Sequence, residues 1–292
     1  IYHHSIGSSL ATFMEKIKIK KIMFYHNITP THFFEPYDKA ISSELFQGIE
    51  QTKLLAKSFK FAMASSGYNR YDLHRYGYQH VLDAQYFIDL ERFDSMKLDD
   101  KIAEQYKNTT NIIFVGRRVP NKKAEDLLKI FTYYKKLNPN SKLFLLGGSW
   151  SVEKYVNKLQ DLQSKLHLNK DDVIIIDTLS DDELQSYYKI ADVFLCMSEH
   201  EGFCIPLVES MYFQKPIIAY NSTAIPDTLG GSGILVNHKK YDEIAQIINL
   251  IQTNDNLKNK IISKQNERLM FFENTRPSDI LEKNIDFVSL NS

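Results

Sequence analysis

The chain has 292 residues, 43% hydrophobic and 25% charged, which is enough apolar material for two ordinary cores. Its 36 basic residues balance 36 acidic ones, which excludes general attraction to nucleic acid. Two cysteines, Cys196 and Cys204, make no disulfide framework and fit a reducing cytoplasm, and no apolar run approaches a signal peptide or the roughly 20 residues of a membrane span.

The chain opens on Ile1-Tyr2-His3-His4, mid-strand in character and without an initiator Met, and reads as a fragment whose N-terminus lies upstream. In the first half, apolar runs at 22–25, 59–64 and 80–82 alternate with helical patterns at 38–57 and 69–76. The stretch 97–110 is polar and aperiodic and reads as an interdomain connection. The second half alternates cleanly. Short apolar runs at 111–115, 142–146, 173–177, 193–197, 216–220 and 234–236 are separated by helical patterns at 122–137, 152–166, 181–190, 206–213 and 241–252. Unbroken apolar strands alternating with helices predict a parallel sheet covered on both faces. Ser180 with Glu183 is a capping-box signature for one helix start. Gly230, Gly231 and Gly233 lack the strand before and helix after that a dinucleotide fingerprint needs, and read as a turn.

Ligands of such sheets bind at the carboxyl ends of the strands. The first loop to inspect is Gly116-Arg117-Arg118-Val119-Pro120-Asn121-Lys122-Lys123. Gly116 permits a sharp turn, Arg117 offers a planar fork for a diphosphate, and Lys122 offers a point charge at a helix start. Cations there oppose the helix dipole, which a bound anion would compensate. Alone, the loop reads equally well as a solvated basic turn. The second loop, 199–204, runs from a strand through Gly202 into a helix started by Pro206, the arrangement of an anion site. Glu201 and Glu209 bracket it. Carboxylates repel phosphate but accept hydroxyls, and a nucleotide sugar offers both groups.

These two loops together resemble the retaining glycosyltransferases of family 4, the group 1 glycosyl transferases of GT-B fold. The stretch 114–122 resembles that family's phosphate-binding loop, and Glu201 to Glu209 matches its Glu-x7-Glu motif, with Glu-Gly-Phe and a Pro three residues before the second Glu. The resemblance spans about 111–251 and extends more weakly over 1–107. It implies an α/β chain of two Rossmann-like, doubly wound parallel-sheet domains with the donor site in the cleft between them. The N-terminal domain, 1–107, is expected to be incomplete; 108–275 would bind the nucleotide sugar, and a helix over 276–292 would cross back to the first domain.

The resemblance also implies roles. Gly116 opens the loop, and Arg117 and Lys122 bind the donor diphosphate. Glu209 binds the ribose, and the backbone around Leu179 cradles the base. Glu201 and the backbone of Gly202, Phe203 and Cys204 hold the transferred sugar and its phosphate. His26, in Phe24-Tyr25-His26-Asn27, is the candidate catalytic residue on the acceptor side. The reaction implied moves a sugar from a nucleoside diphosphate, GDP-mannose or a UDP-sugar, to a hydroxyl of a glycan or lipid-linked glycan, with retention. A nucleotide-sugar 2-epimerase and a non-catalytic nucleotide-binding subunit or truncated remnant are the alternatives.

Four departures stand out. Cys204 and Lys123 occupy positions where the family usually has Gly, and Tyr86-Phe87-Ile88-Asp89 half-keeps an Asn-Gly-Val/Ile-Asp turn. The family's glycine-rich loop near the start of the first domain has no counterpart.

No strand ends in an Asp-x-Asp pair that would hold a metal on a diphosphate, so metal-free catalysis without a cofactor is expected, with Arg117 and Lys122 supplying the positive charge. His3, His4, His26 and His32 fit no standard zinc spacing; His3 and His4 read as a strand end lining the cleft. Lys16, Lys18, Lys20 and Lys21 read as a solvated helix end, with a peripheral contact to acidic lipid at the inner face of the membrane as the alternative.

Overall fold

The computed structural model describes residues 1–148 and 152–291. They form two compact units. The first comprises Ile1–Ile88, His200–Cys204 and Phe272–Ser292; the second comprises Asp89–Glu199 and Ile205–Phe271.

The first unit is built on four parallel strands, β1 (Tyr2–His4), β2 (Ile22–Tyr25), β3 (Phe61–Ala64) and β4 (His80–Asp83), side by side in that order. Every residue of β2 and β3 is buried, as expected of strands covered on both faces. On one face Ile22, Phe24, Phe61 and Met63 pack on Val288 of the final helix. On the other, the Tyr78 hydroxyl donates to the Thr52 carbonyl at 2.9 Å. Helices α1 (Ser9–Lys16), α2 (Lys39–Leu55) and α3 (Gly67–Arg75) are capped by the side chains of Ser8, Asp38 and Ser66, which accept from backbone N–H groups of the first turn. A Cβ on Gly7 would lie 2.6 Å from the Glu44 carbonyl oxygen, so only glycine lets this segment lie against α2.

The second unit holds a six-stranded parallel sheet. Its strands are β5 (Thr110–Val115), β6 (Ser141–Leu146), β7 (Val173–Ile176), β8 (Val193–Cys196), β9 (Ile217–Tyr220) and β10 (Ile234–Val236), in the order β10-β9-β8-β5-β6-β7. Helices α4 (Asp100–Tyr106), α5 (Ala124–Leu137), α6 (Glu153–Lys165), α7 (Asp181–Ile190), α8 (Ile205–Tyr212), α9 (Ile225–Leu229), α10 (Tyr241–Thr253) and α11 (Asp255–Asn274) connect and follow them, and α12 (Pro277–Asn291) is the final helix on the first unit. Both halves of the Ser180–Glu183 capping box are present at the start of α7. The chain fills the sheet outward from β5 on one side and then from β8 on the other. The switch point between these neighbours is where an open α/β sheet forms its ligand crevice.

Residues 89–107, grouped by the sequence with the first half, pack on the second unit. The aperiodic stretch 97–110 contains α4, which Asp99 caps. Gln185 Nε2 donates to the Phe93 carbonyl at 2.7 Å, and the Asp99 N–H donates to Ser186 Oγ at 2.8 Å. Only Ile102 of α4 is buried, so a seven-residue helix leaves no readable stripe in the sequence.

Candidate functional site

In the second unit the candidate residues stand at the carboxyl end of the sheet. Gly116, at φ +151°, turns the chain out of β5, and a Cβ on Gly147 would lie 2.8 Å from the Gly116 carbonyl oxygen. This close approach brings the loops after β5 and β6 together. Arg118 fastens them: its backbone N–H donates to the Gly148 carbonyl at 2.9 Å, and its buried guanidinium donates to the Gly147 carbonyl and to Asp177 after β7. The two adjacent arginines therefore differ. Arg118 is 3% exposed and ties three strand ends together, whereas Arg117 is exposed. Lys122 is half-buried and closes a single 3-10 turn over Pro120–Lys122. Leu179, also half-buried, lies between β7 and the capping box of α7.

The loop after β8 is locked to the loop after β5. The Glu199 N–H donates to the Asn121 carbonyl at 2.8 Å, and the Glu199 carboxylate accepts from Lys123 at 3.0 Å and Lys239 at 2.7 Å. Burial pushes Glu199 upward, but the two ammonium groups outweigh it and hold its pKa below the usual glutamate value. Lys239 also reaches Asp126 at 2.7 Å, and the Tyr241 hydroxyl donates to the same carboxylate at 2.8 Å.

Glu209 sits inside α8 and is 6% exposed. Its two oxygens accept separately, one from Arg92 Nη2 at 2.9 Å and the other from the Tyr188 hydroxyl at 2.9 Å. Burial raises its pKa, and these two donors oppose the rise. Arg92 lies over the Phe93 ring at 4.6 Å, and its Nε is buried without a partner. Sequence reading missed both Arg92 and Tyr188, because Arg92 lies 117 residues from Glu209 and no local motif links them.

The segment His200–Cys204 belongs to the first unit. A Cβ on Gly202 would stand 2.9 Å from the His26 carbonyl oxygen and 2.9 Å from Asn27 Cβ, so glycine is what lets this loop lie on the end of β2. Ser66 Oγ donates to the Gly202 carbonyl at 3.0 Å, and His200 pairs with Asn27, whose amide in turn donates to Asn69 at 2.7 Å. Glu201 is buried, and Phe203 is buried with its ring against Tyr86 and Phe272.

His26 is held from both sides. Its Nε2 pairs with His3 Nδ1 at 2.7 Å, and its Nδ1 with the Tyr86 hydroxyl at 2.9 Å. Burial, aided by the nearby His3 and His4, lowers its pKa to about 4. The folded state therefore resists protonating His26 between about pH 6.5 and 4, while the unfolded chain accepts the proton. Stability from this group is complete above pH 6.5 and is lost as pH falls toward 4. We expect the thermal unfolding midpoint to drop across that window and the His26→Gln variant to show a shallower drop; equal slopes in the two proteins would count against the assignment.

A family model described as glycosyl transferases group 1 matches residues 95–268, more than half of the chain. The chain belongs to the group 1 glycosyl transferases. It is 26% identical over 203 residues to the capsular polysaccharide biosynthesis glycosyltransferase CapM of Staphylococcus aureus, covering 68% of this chain and 51% of CapM. It is 28% identical over 140 residues to the lipopolysaccharide 1,2-N-acetylglucosaminetransferase of Salmonella typhimurium, covering 46% and 35% of the two chains. The chain thus spans about half or less of the length of these two relatives. Among solved structures it is similar to Anabaena HepE in complex with UDP-glucose, with TM-score 0.71 and 16% identity over 92% of this chain and 72% of HepE. It is also similar to the trehalose-6-phosphate synthase OtsA, with TM-score 0.75 and 14% identity over 98% and 71%. At these identities the likeness is one of fold, and the fold class is GT-B.

The backbone gives a physical meaning to the glycine that the resemblance implied at positions 123 and 204. Cys204 has φ +74° and Lys123 has φ +55°, so both side chains are carried in the left-handed region that glycine enters freely. A non-glycine residue there costs about 1–2 kcal/mol, and a new glycine adds back about 0.4–1 kcal/mol through the unfolded chain. Cys204→Gly is therefore expected to match or slightly exceed the parent in urea unfolding, whereas Cys204→Val should lose about 1–3 kcal/mol. The reverse ranking would show that the side chain, not the backbone, governs this position.

Proposed function

We propose that the chain transfers a sugar from a nucleoside diphosphate to a hydroxyl acceptor, with retention of anomeric configuration and with protein cations in place of a metal. The observation that carries the proposal is the placement of the exposed Arg117, next to the Lys122 turn, at the switch point of the second sheet, with Glu209 buried in the helix after the neighbouring strand. Crevice position, cations and a buried hydroxyl acceptor together match a sugar nucleotide.

In this reading Arg117 and Lys122 bind the diphosphate and stabilise the charge that develops as the bond between C1 and the phosphate oxygen breaks. Gly116 lets the backbone turn under that phosphate. Glu209, oriented by Arg92 and Tyr188, accepts the ribose hydroxyls, and the backbone at Leu179 meets the base. Glu201 and the backbone of Gly202, Phe203 and Cys204 hold the sugar. The acceptor oxygen attacks C1 on the face the diphosphate leaves, and its proton passes to the departing phosphate oxygen, so no enzyme nucleophile is needed. His26, kept neutral by burial, stands on the acceptor side. The donor is a UDP-sugar or GDP-mannose. The acceptor is a glycan or lipid-linked glycan, as the capsular and lipopolysaccharide roles named for the two relatives support.

We place the reaction in the cytoplasm. Among the described residues no helix is long and apolar enough to cross a membrane. The exposed Phe13 and Ile19 beside Lys16, Lys18 and Lys20 support a peripheral contact with anionic lipid at its inner face.

The test is to incubate the chain with UDP-glucose or GDP-mannose and a panel of glycosides, and to read the product's anomeric configuration by NMR. A retained linkage supports the proposal. An inverted linkage, or a free epimer of the sugar nucleotide formed without acceptor, contradicts it.

A further inference from the structure

Lys122 stands between two residues that are both held by Glu199. On one side the Asn121 carbonyl accepts from the Glu199 N–H at 2.8 Å. On the other the Lys123 ammonium donates to the Glu199 carboxylate at 3.0 Å. Asn121 is buried, and Lys122, Lys123 and Glu199 are half-buried. A single residue of the loop after β8 thus grips the 3-10 turn on either side of its lysine, once with its main chain and once with its side chain.

The backbone at Lys123 needs such a restraint. Its φ of +55° and ψ of +48° lie in the left-handed region, which a residue with a side chain enters at a cost. Lys123 is also the joint between the turn and α5. Its carbonyl accepts from the Asp126 N–H at 3.0 Å, and its own N–H meets the Pro120 carbonyl only at 3.4 Å. Strained conformations persist where their surroundings over-determine them, and a shift at this joint passes directly to Lys122.

The carboxylate is braced in turn. Lys239 donates to Glu199 and to Asp126, each at 2.7 Å, and the Tyr241 hydroxyl donates to Asp126 at 2.8 Å. Both oxygens of Glu199 are occupied, Oε1 by Lys239 and Oε2 by Lys123, so this group is not a further hydroxyl acceptor. Removing its charge leaves two ammonium groups close together without a counter-ion, and their repulsion draws Lys123 away from its place. A carboxylate beside a diphosphate site is unfavourable by simple Coulomb attraction. Its presence is explained by what it holds.

We propose that Glu199 is a positioning residue for the diphosphate site, clamping Asn121 and Lys123 so that Lys122, between them, presents its ammonium to the donor diphosphate. The inference rests on the assignment of Lys122 to that diphosphate and goes beyond it by naming the residue that keeps Lys122 in place.

The test is calorimetric titration of UDP, GDP and ADP into the full chain and into Glu199→Gln, Lys122→Ala and the double variant. Glutamine has nearly the shape of glutamate, so it removes the charge and leaves the main-chain bond to Asn121. Charge alone predicts tighter binding in Glu199→Gln, because losing a carboxylate beside an anion site raises the local positive potential. We expect the opposite: the nucleotide that binds the parent most tightly should bind about fivefold or more weakly, within the range for residues coupled through one ion-pair network. In the Lys122→Ala background the same substitution should change affinity by less than about twofold. Glu199→Asp keeps the charge and should recover part of the loss. Lys123→Met breaks the same ion pair from its other end and should reproduce both the loss and its dependence on Lys122. Unchanged or tighter binding in Glu199→Gln overturns the proposal. So does an equal loss with and without Lys122, which marks a general loosening of the fold. Failure of the transferase reading is distinguishable, because nucleotides would then bind as described while no sugar is transferred from any donor.

Discussion

Under the proposed function, replacing Arg117 with Ala is expected to lower kcat/KM for sugar transfer by about a hundredfold or more, the scale of losing one charge-stabilising donor. The unfolding midpoint should fall less than that of Arg118→Ala, because the Arg117 side chain is exposed. Arg118 is the built-in control. It carries the same charge one residue away, but its guanidinium is buried against the Gly147 carbonyl and Asp177. Arg118→Ala removes those contacts and should lower stability by about 1–3 kcal/mol through the lost tie and the Gly147 carbonyl it leaves unpaired, since the exposed Asp177 carboxylate returns to water. Arg117→Lys is not expected to restore the parent rate, because an ammonium cannot present two parallel donors to a diphosphate. A parent-like rate for Arg117→Ala on a folded protein would remove this residue from the mechanism.

Glu209→Ala should damage folding and donor binding together. It strands Arg92 Nη2 and the Tyr188 hydroxyl, both of which now donate to this carboxylate at 2.9 Å. Loss of the acceptor for two such groups costs about 1–3 kcal/mol, with the smaller part from Arg92 because that side chain is 36% exposed. Glu209→Gln separates the effects. The amide oxygen still accepts one of the two bonds, so stability should largely recover, while affinity for a nucleoside diphosphate falls by about tenfold or more through the loss of a charged hydroxyl acceptor. A double-mutant cycle with Arg92→Ala should show a coupling of about 0.5–3 kcal/mol in unfolding, as expected of residues in contact. Burial raises the folded pKa of Glu209, so its proton binds at a higher pH than an ordinary glutamate's. Donor affinity should accordingly weaken on acidification before exposed carboxylates titrate.

The second sheet was legible because its central strands carry short apolar runs, which strands buried on both faces require. The capping box of α7 was legible because it is a local pattern of three-residue spacing. α4 was not, since it buries Ile102 alone and the hydrogen bond that ties its cap to α7 runs from the Asp99 main chain to Ser186. The same limit hid Arg92 from Glu209 and joined Tyr86 to His26 only in three dimensions. Tyr86 was visible as a departure from the family's turn, and His3 as a strand end; their hydrogen-bonded chain with His26 was not. The left-handed backbone at Cys204 and Lys123 was foreshadowed, because the family resemblance implied glycine at both positions. Arg117 and Arg118 show the remaining ambiguity: neighbouring identical residues point to different surroundings, and only burial separates the clamp from the exposed cation.

The most direct measurement of the central claim is equilibrium titration of UDP, GDP and ADP into the parent, Arg117→Ala and Glu209→Gln. The account predicts that one of the three nucleotides binds the parent most tightly and that each substitution weakens that binding by about tenfold or more, the loss expected for a charge-assisted contact. Parent-like affinity in both variants, with the folded state intact, would contradict it.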